Sequence, residues 1–341
     1  MRLERVHIGG HTAHLDLTGQ LLLPGLINAH DHLEFNLFPT LGRGPYPNAS
    51  TWARDIYHPD RPPVRDHLRV PKPVRLWWGG LKNLLSGVTT VCHHNPYDPA
   101  VFTADFPVRV VRRVAWAHSL GFEPRPTRRR NGHPYLVHCA EGTDAASRRE
   151  LAALDKLGAL DSRTAIVHGV ALDRAGLALM QRRRAGLVWC PTSNLKMLGR
   201  TISRAVLNSG IPIALATDSA LSAPVDLLDE MALARRYVSA ARVYEMVTEV
   251  PARILQLPER EHDWIAMRDS AVELVVIAGR VRLISAALAR QIPRALIRKF
   301  QPVTLEGRPP VLVDAPVRRL YGAAAKHLGR DLRLAGKRIL V

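Results

Sequence analysis

The run Leu23-Pro-Gly-Leu-Ile-Asn-Ala-His30-Asp-His32-Leu-Glu34 ends an apolar, strand-like stretch in two histidines spaced i, i+2. Side chains at that spacing leave the same face of a strand, so both imidazoles point one way. Two nitrogen donors at one strand's end make half a metal site, and the remaining ligands must come from elsewhere in the fold. Three later residues are candidates: His138 in Tyr-Leu-Val-His-Cys-Ala-Glu141, His168 in Ala-Ile-Val-His-Gly, and Asp218 in Ile-Ala-Leu-Ala-Thr-Asp-Ser. Each ends an apolar run. A histidine taken alone is more often a hydrogen-bonded structural residue than a ligand. Four histidines and an aspartate, all at predicted strand ends, reverse that ordering.

In this order the set resembles the amidohydrolase superfamily of metal-dependent hydrolases, and within it the cytosine-deaminase and chlorohydrolase-like branch. The resemblance is carried by Pro24-Gly-Leu-Ile-Asn-Ala-His-Asp-His32, Gly87-Val-Thr-Thr-Val91, His138-Cys-Ala-Glu141, Val167-His-Gly169, Cys190-Pro-Thr-Ser-Asn194 and Ala216-Thr-Asp-Ser219. Each motif is weak alone; together, in order over roughly two thirds of the chain, they are specific for the family and say little about the substrate. The resemblance implies one divalent metal held by His30, His32, His138 and Asp218, with a water whose pKa falls towards ~7. Asp218 would both bind the metal and take the water's proton. His168 would orient the water or polarise the substrate. Glu141, three residues past His138, would shuttle a proton to the leaving group; its plain alternative is an acid favouring the start of the following helix. Binuclear relatives bridge two metals with a carboxylated lysine, and no lysine lies between Lys82 and Lys156, so one metal is expected. By ligand softness zinc suits the set, as ferrous iron and manganese also do. The implied activity is hydrolysis of a non-peptide carbon–nitrogen bond, by deamination of a heterocycle or opening of a cyclic or linear amide, with carbon–halogen cleavage as a variant. A non-catalytic relative that keeps the barrel as a scaffold or binding module is the alternative, but every expected ligand is present.

The elements that must position these residues follow the pattern of an α/β protein. The resemblance implies a (β/α)8 TIM-like barrel over 23–264, with a small discontinuous β-sandwich appendage from 1–22 and 265–341. Asp144 and Asp173 are placed to cap helices, with Gly158 and Gly186 closing them, and a third helix runs from about Thr201 to Gly210. Strands Thr164–Val167, Leu187–Cys190 and Ile211–Ala216 alternate with these helices, the organisation whose chemistry sits at the strands' carboxyl rim. A helix over 74–86 ends at Gly87, before the strand Val88–Cys92. Only about 44 residues separate His93 from His138, against roughly 30 per strand–helix unit. The barrel is therefore expected to be shortened around its third and fourth strands, with Val108–Ala117 as one strand and a vestige near Gly121–Pro126. Residues 271–282 read as a hairpin, and Pro316–Leu328 as a helix with Gly329 past its end. The Pro- and Gly-rich segment after Glu34, running to Pro73, is too long for a mere connector and is expected to fold over the metal. Trp52, Arg54 and Tyr57 are its pocket candidates, the arginine suiting an anionic substrate group. His93, His94 and His118 are read as structural or pocket residues, and Asn194 as fixing its loop.

With 341 residues, 47% of them hydrophobic, the chain can bury a large core. Its formal net charge of +18 raises nucleic acid as a partner. The arginines are nonetheless spread along the chain, with runs only at Arg128–Arg130 and Arg182–Arg184, and aromatic residues make up 6%. These read as solvated faces; a small-molecule substrate is expected, with no specific nucleic acid. A homo-oligomer is compatible with this composition. The first ten residues have no signal-peptide core, and no run is apolar enough to span a bilayer, which leads to a cytoplasmic expectation and no membrane partner. Cys92, Cys139 and Cys190 fit neither a disulfide framework nor a paired zinc motif.

Overall fold

The computed structural model describes residues 3–8, 10–123 and 132–341. The chain begins with β1 (Leu3–Ile8), β2 (His11–Asp16) and β3 (Leu21–Pro24). Eight strands follow that pair only in parallel: β4 (Leu26–Asp31), β5 (Val88–His93), β6 (Arg109–Val110), β7 (Ala115–Ala117), β8 (Tyr135–Cys139), β9 (Thr164–His168), β10 (Gly186–Trp189) and β11 (Ile213–Leu215). They form two sheets, β4-β5-β6 and β11-β10-β9-β8-β7. The Asp218 amide donates to the His30 carbonyl at 3.2 Å, joining the end of β11 to the end of β4.

Strands β4, β5 and β8–β11 are buried along their whole length, as parallel strands covered on both sides must be. Alternate residues sort the two faces. Leu136, Val167, Val188 and Ala214 share one apolar cluster with Ile27, Ala29 and Cys92. Val137, Ile166, Leu187 and Leu215 face the other way into the largest cluster, which includes buried residues of the helices.

Among the described residues up to Ala234 the helices are α1 (Ala49–Ile56), α2 (Val64–Arg69), α3 (Lys72–Leu85), α4 (Ala145–Lys156), α5 (Arg174–Arg183), α6 (Pro191–Leu198), α7 (Arg204–Leu207) and α8 (Leu227–Ala234). Local chemistry accounts for many of their ends. Asp144 and Asp173 cap α4 and α5 by accepting from Ser147 and Gly176 amides, both at 2.8 Å. Gly87, at φ +80°, turns the chain from α3 into β5. Among the described residues no helix is long and apolar enough to cross a membrane.

The remaining strands, β12 (Trp264–Arg268), β13 (Ala271–Ile277), β14 (Arg280–Ser285), β15 (Gln301–Leu305), β16 (Val311–Val313), β17 (Arg333–Leu334) and β18 (Lys337–Leu340), join β1–β3 in one ten-stranded sheet. β13 and β14 form the expected hairpin, and a helix spans Val317–Leu328.

Five expectations change. Val108–Ala117 is not one strand: its residues form β6, which pairs with β5, and β7, which pairs with β8, so the segment crosses between the two sheets. Residues 121–123 form no strand, and the rest of Gly121–Pro126 lies outside the described residues, as does the Arg128–Arg130 run. Helix α5 is closed by Arg184, at φ 55°, while Gly186 already belongs to β10. The helix expected from Thr201 shrinks to α7, and the segment after Cys190 forms helix α6 instead of a loop.

Candidate metal centre

His30 lies near the end of β4 and His32 directly follows the strand, capping the 3-10 turn at Leu33–Phe35. His138 stands on β8, and His168 ends β9 beside it in parallel register. Asp218 follows β11. His168 and Asp218 both take left-handed backbone, with φ 76° and 58°. Such conformations are uncommon for residues with a Cβ and cluster at functional sites.

The structure brings all five together. The Nε2 atoms of His30 and His138 lie 3.2 Å apart. Asp218 Oδ1 is 3.6 Å from Nε2 of both His30 and His32. Ligand atoms of His30, His32 and Asp218 fall within 4.8 Å of one another, and so do those of His30, His138 and His168. Burial pushes the His30 pKa down to about 4 and that of His138 well below its ordinary value, so both rings are neutral. Burial alone would raise the Asp218 pKa, but its hydrogen bond with His30 and the surrounding imidazoles hold it well below the usual carboxylate range. Neutral ring nitrogens crowded around a carboxylate suit a divalent cation better than they suit each other. The donor set therefore fits a metal.

Several supports were invisible in the sequence. Asp218 Oδ2 accepts the hydroxyls of Ser193 at 2.6 Å and Ser222 at 2.7 Å, leaving Oδ1 to face the histidines. Asn194 sits on α6, and its Oδ1 lies 2.9 Å from His168 Nδ1. Since that oxygen only accepts, Nδ1 carries the proton and Nε2 is bare. Nε2 has no aligned hydrogen-bond partner but lies 3.3 Å from Glu141 Oε1. Burial first, then the charges of Asp218 and Glu150, raise the Glu141 pKa well above its ordinary value, which favours the protonated carboxyl. Glu141 precedes the α4 cap, and the helix itself starts only at Ala145, so it is not a helix-start acid.

A cleft of about 530 Å3 opens over this cluster. His32, His138, Glu141 and Asp218 belong to its wall, with Phe35, Trp52, Ile56, Tyr57, Phe122 and Leu221 supplying apolar surface. Trp52 and Tyr57 therefore stand where the sequence placed them, on the segment after Glu34. Arg54 does not: it is exposed on α1 and forms no part of the wall, because the helix turns it away from its neighbours at 52, 53, 56 and 57.

Residues 130–260 match the amidohydrolase family. The 5-methylthioadenosine/S-adenosylhomocysteine deaminase of Haloarcula marismortui is 31% identical over 141 residues, 38% of this chain and 33% of that protein. The enzyme of the same name from Syntrophobacter fumaroxidans is 25% identical over 278 residues, 64% of this chain and 61% of that protein. The chain thus spans about a third of the first of these relatives' length and three fifths of the second's. Among solved structures, an adenosine deaminase from Xanthomonas campestris with bound zinc superposes at TM-score 0.61 and 19% identity, covering 92% of this chain and 86% of that one. The atrazine chlorohydrolase of Arthrobacter aurescens complexed with zinc gives 0.64 and 16%, covering 91% and 88%. At these identities the solved structures speak for the fold alone, an α/β fold built on parallel strands, while the segment 130–260 that matches the amidohydrolase family carries His138, Glu141, His168 and Asp218.

Proposed function

We propose that this protein is a metal-dependent hydrolase that cleaves a non-peptide carbon–nitrogen bond of a heterocycle, by deamination. The observation that carries the reading is that His30, His32 and Asp218 bring ligand atoms within 4.8 Å of one another, and His138 and His168 do the same with His30, with Glu141 beside His168 in the wall of an aromatic cleft. In this reading the first four residues hold one divalent ion, and zinc is the assignment that their softness favours. When bound, such an ion makes a water molecule acidic enough to attack at neutral pH. Asp218 Oδ1 accepts the proton of the attacking water. Glu141, protonated beforehand, delivers a proton to the leaving nitrogen, and His168 Nε2, a bare acceptor, orients the water by accepting a hydrogen bond from it. Phe35, Trp52 and Tyr57 offer flat apolar surface on which a ring can stack.

The same reading takes β4–β11 as the eight staves of one TIM-like barrel over 23–264, narrowed at the two short strands β6 and β7. It takes 1–22 with 265–341 as a β-sandwich appendage, supported by the cluster that packs Val6, Ile8, Leu15 and Leu17 against Leu274, Val276 and Ile284. Three buried free cysteines suit the reducing cytoplasm. The partner is a small molecule, with no specific nucleic acid; assembly into a homo-oligomer fits the reading.

The test is ammonia release from 5′-methylthioadenosine, S-adenosylhomocysteine, adenosine and amino-triazines by metal-replete protein. After dialysis against metal-free buffer about one transition ion per chain is expected. Replacing His30 and His32 together by Ala should remove it. Folded, replete protein that keeps its ion in the double variant and turns over none of the panel would refute the reading.

A further inference from the structure

Against the proposed metal site lies a second group of histidines that the mechanism above leaves unused. His94 follows β5, His118 follows β7, and His138 stands on β8; one ring nitrogen from each lies within 4.8 Å of the others. His94 is fully buried. Its Nε2 is 3.0 Å from the Ala117 carbonyl oxygen, which can only accept, so the ring proton sits on Nε2. Nδ1 is then a bare lone pair, buried and without a hydrogen-bond partner. Such an atom is rare in a folded protein unless something outside the chain satisfies it. Its ring neighbours are chiefly imidazoles: the His138 centroid is 4.4 Å away, His30 4.7 Å and His118 5.9 Å. His118 is half-buried and lines the cleft.

We propose that His94, His118 and His138 form a second site for a transition-metal cation such as zinc, filled only when metal is in excess. Imidazole nitrogen is a donor that zinc, copper and nickel accept readily. Three features make this site the weaker of the two. It has no carboxylate; His138, whose neutral ring has a single lone pair, can serve both ions only by losing its N–H proton to solvent and bridging them as an imidazolate; and its ion is repelled by the charge already bound there. Because His118 lines the cleft, the second ion narrows the substrate's path, and excess zinc inhibits turnover. The inference relies on the proposed function for the position of the first ion and for that inhibition, while ion counting stands apart from any activity.

The experiment titrates metal-free, full-length protein with Zn2+ against a chromophoric chelator. Wild-type protein is expected to bind one tight equivalent and a second that is roughly tenfold or more weaker. His94→Ala and, separately, His118→Ala should abolish the weak phase and leave the tight one. The half-buried His118 guards against a His94 variant that fails to fold. Asp218→Asn should weaken the tight phase alone. A single phase in wild type that responds to Asp218→Asn but to neither His94→Ala nor His118→Ala would overturn the second site and leave the hydrolase reading intact. A weak phase that persists in both histidine variants would overturn it as well. A tight phase indifferent to Asp218→Asn, alongside a weak phase lost in the His118 variant, would instead overturn the placing of the first ion and support the second site.

Discussion

Glu141 and His168 show how little separates a structural residue from a chemical one. Each is buried, and neither makes a well-aligned hydrogen bond to the other, although a carboxyl oxygen and a ring nitrogen stand 3.3 Å apart. A carboxyl whose pKa is raised by burial, facing a bare imidazole nitrogen, can give a proton and recover it. Replacing Glu141 by Gln keeps the volume and removes the transferable proton. We expect Glu141→Gln to keep its fold and metal while turnover on the best substrate falls by about 10²-fold or more. Melting temperature, metal content and rate, measured on one preparation, separate this from a structural role. A metal-loaded Gln variant with wild-type turnover would remove Glu141 from the mechanism.

At the level of elements, α3 is what aligns the histidine pair. Gly79 lies so close to the Leu33 backbone that a Cβ there would overlap the Leu33 carbonyl oxygen, so the helix seats directly under the turn that follows His32. One turn further along, Lys82 Nζ lies 2.9 Å from Asp31 Oδ2 and 3.0 Å from Thr217 Oγ1, with the lysine and the aspartate both buried. Asp31 also accepts from the side-chain amides of Asn36 and Asn83, both at 2.8 Å. This network ties the residue between the two histidine ligands to the residue before Asp218. Lys82→Met would leave a buried carboxylate without its cation, a change that ordinarily costs about 3–5 kcal/mol. The amide donors that remain on Asp31 put the expected loss at the lower end of that range, and Asp31→Asn added to Lys82→Met should recover part of it. Urea unfolding of the two variants checks this; a loss below about 1 kcal/mol for Lys82→Met would mean that the amides alone carry the charge.

For the whole molecule the dominant property is the net charge of +18. Many of the arginines are exposed and scattered over separate elements: Arg182 and Arg183 end α5, Arg235 and Arg236 follow α8, and Arg290, Arg294 and Arg298 follow β14. A diffuse charge of this kind attracts polyanions without reading them. Duplex DNA should therefore bind weakly, with no preference among sequences, and the affinity should collapse between about 50 and 200 mM salt. Fluorescence anisotropy with two unrelated duplexes at several salt concentrations tests this. Tight, sequence-selective binding at physiological salt would demand a nucleic-acid role that the cleft does not provide.

What the sequence determined by itself is local. The i, i+2 histidines, the aspartate caps of α4 and α5, the apolar strand runs and the β13–β14 hairpin are each written within a dozen residues, because hydrogen-bond geometry and side-chain alternation act at that range. The tertiary structure decided everything that depends on residues distant in the chain. Lys82 meets Asp31 across 51 positions, Asn194 meets His168 across 26, and Ser193 reaches Asp218 across 25. The segment 108–117 reads as one strand by composition; it is divided because Arg109–Val110 must satisfy β5 while Ala115–Ala117 must satisfy β8. Arg54 looked like a pocket residue because only its position in the chain was known, and the helical turn of α1 sends it outward. A strand's end can be read from its own residues, but the partner that completes a ligand, satisfies a buried charge or closes a cleft is chosen by packing, and packing has no local signature.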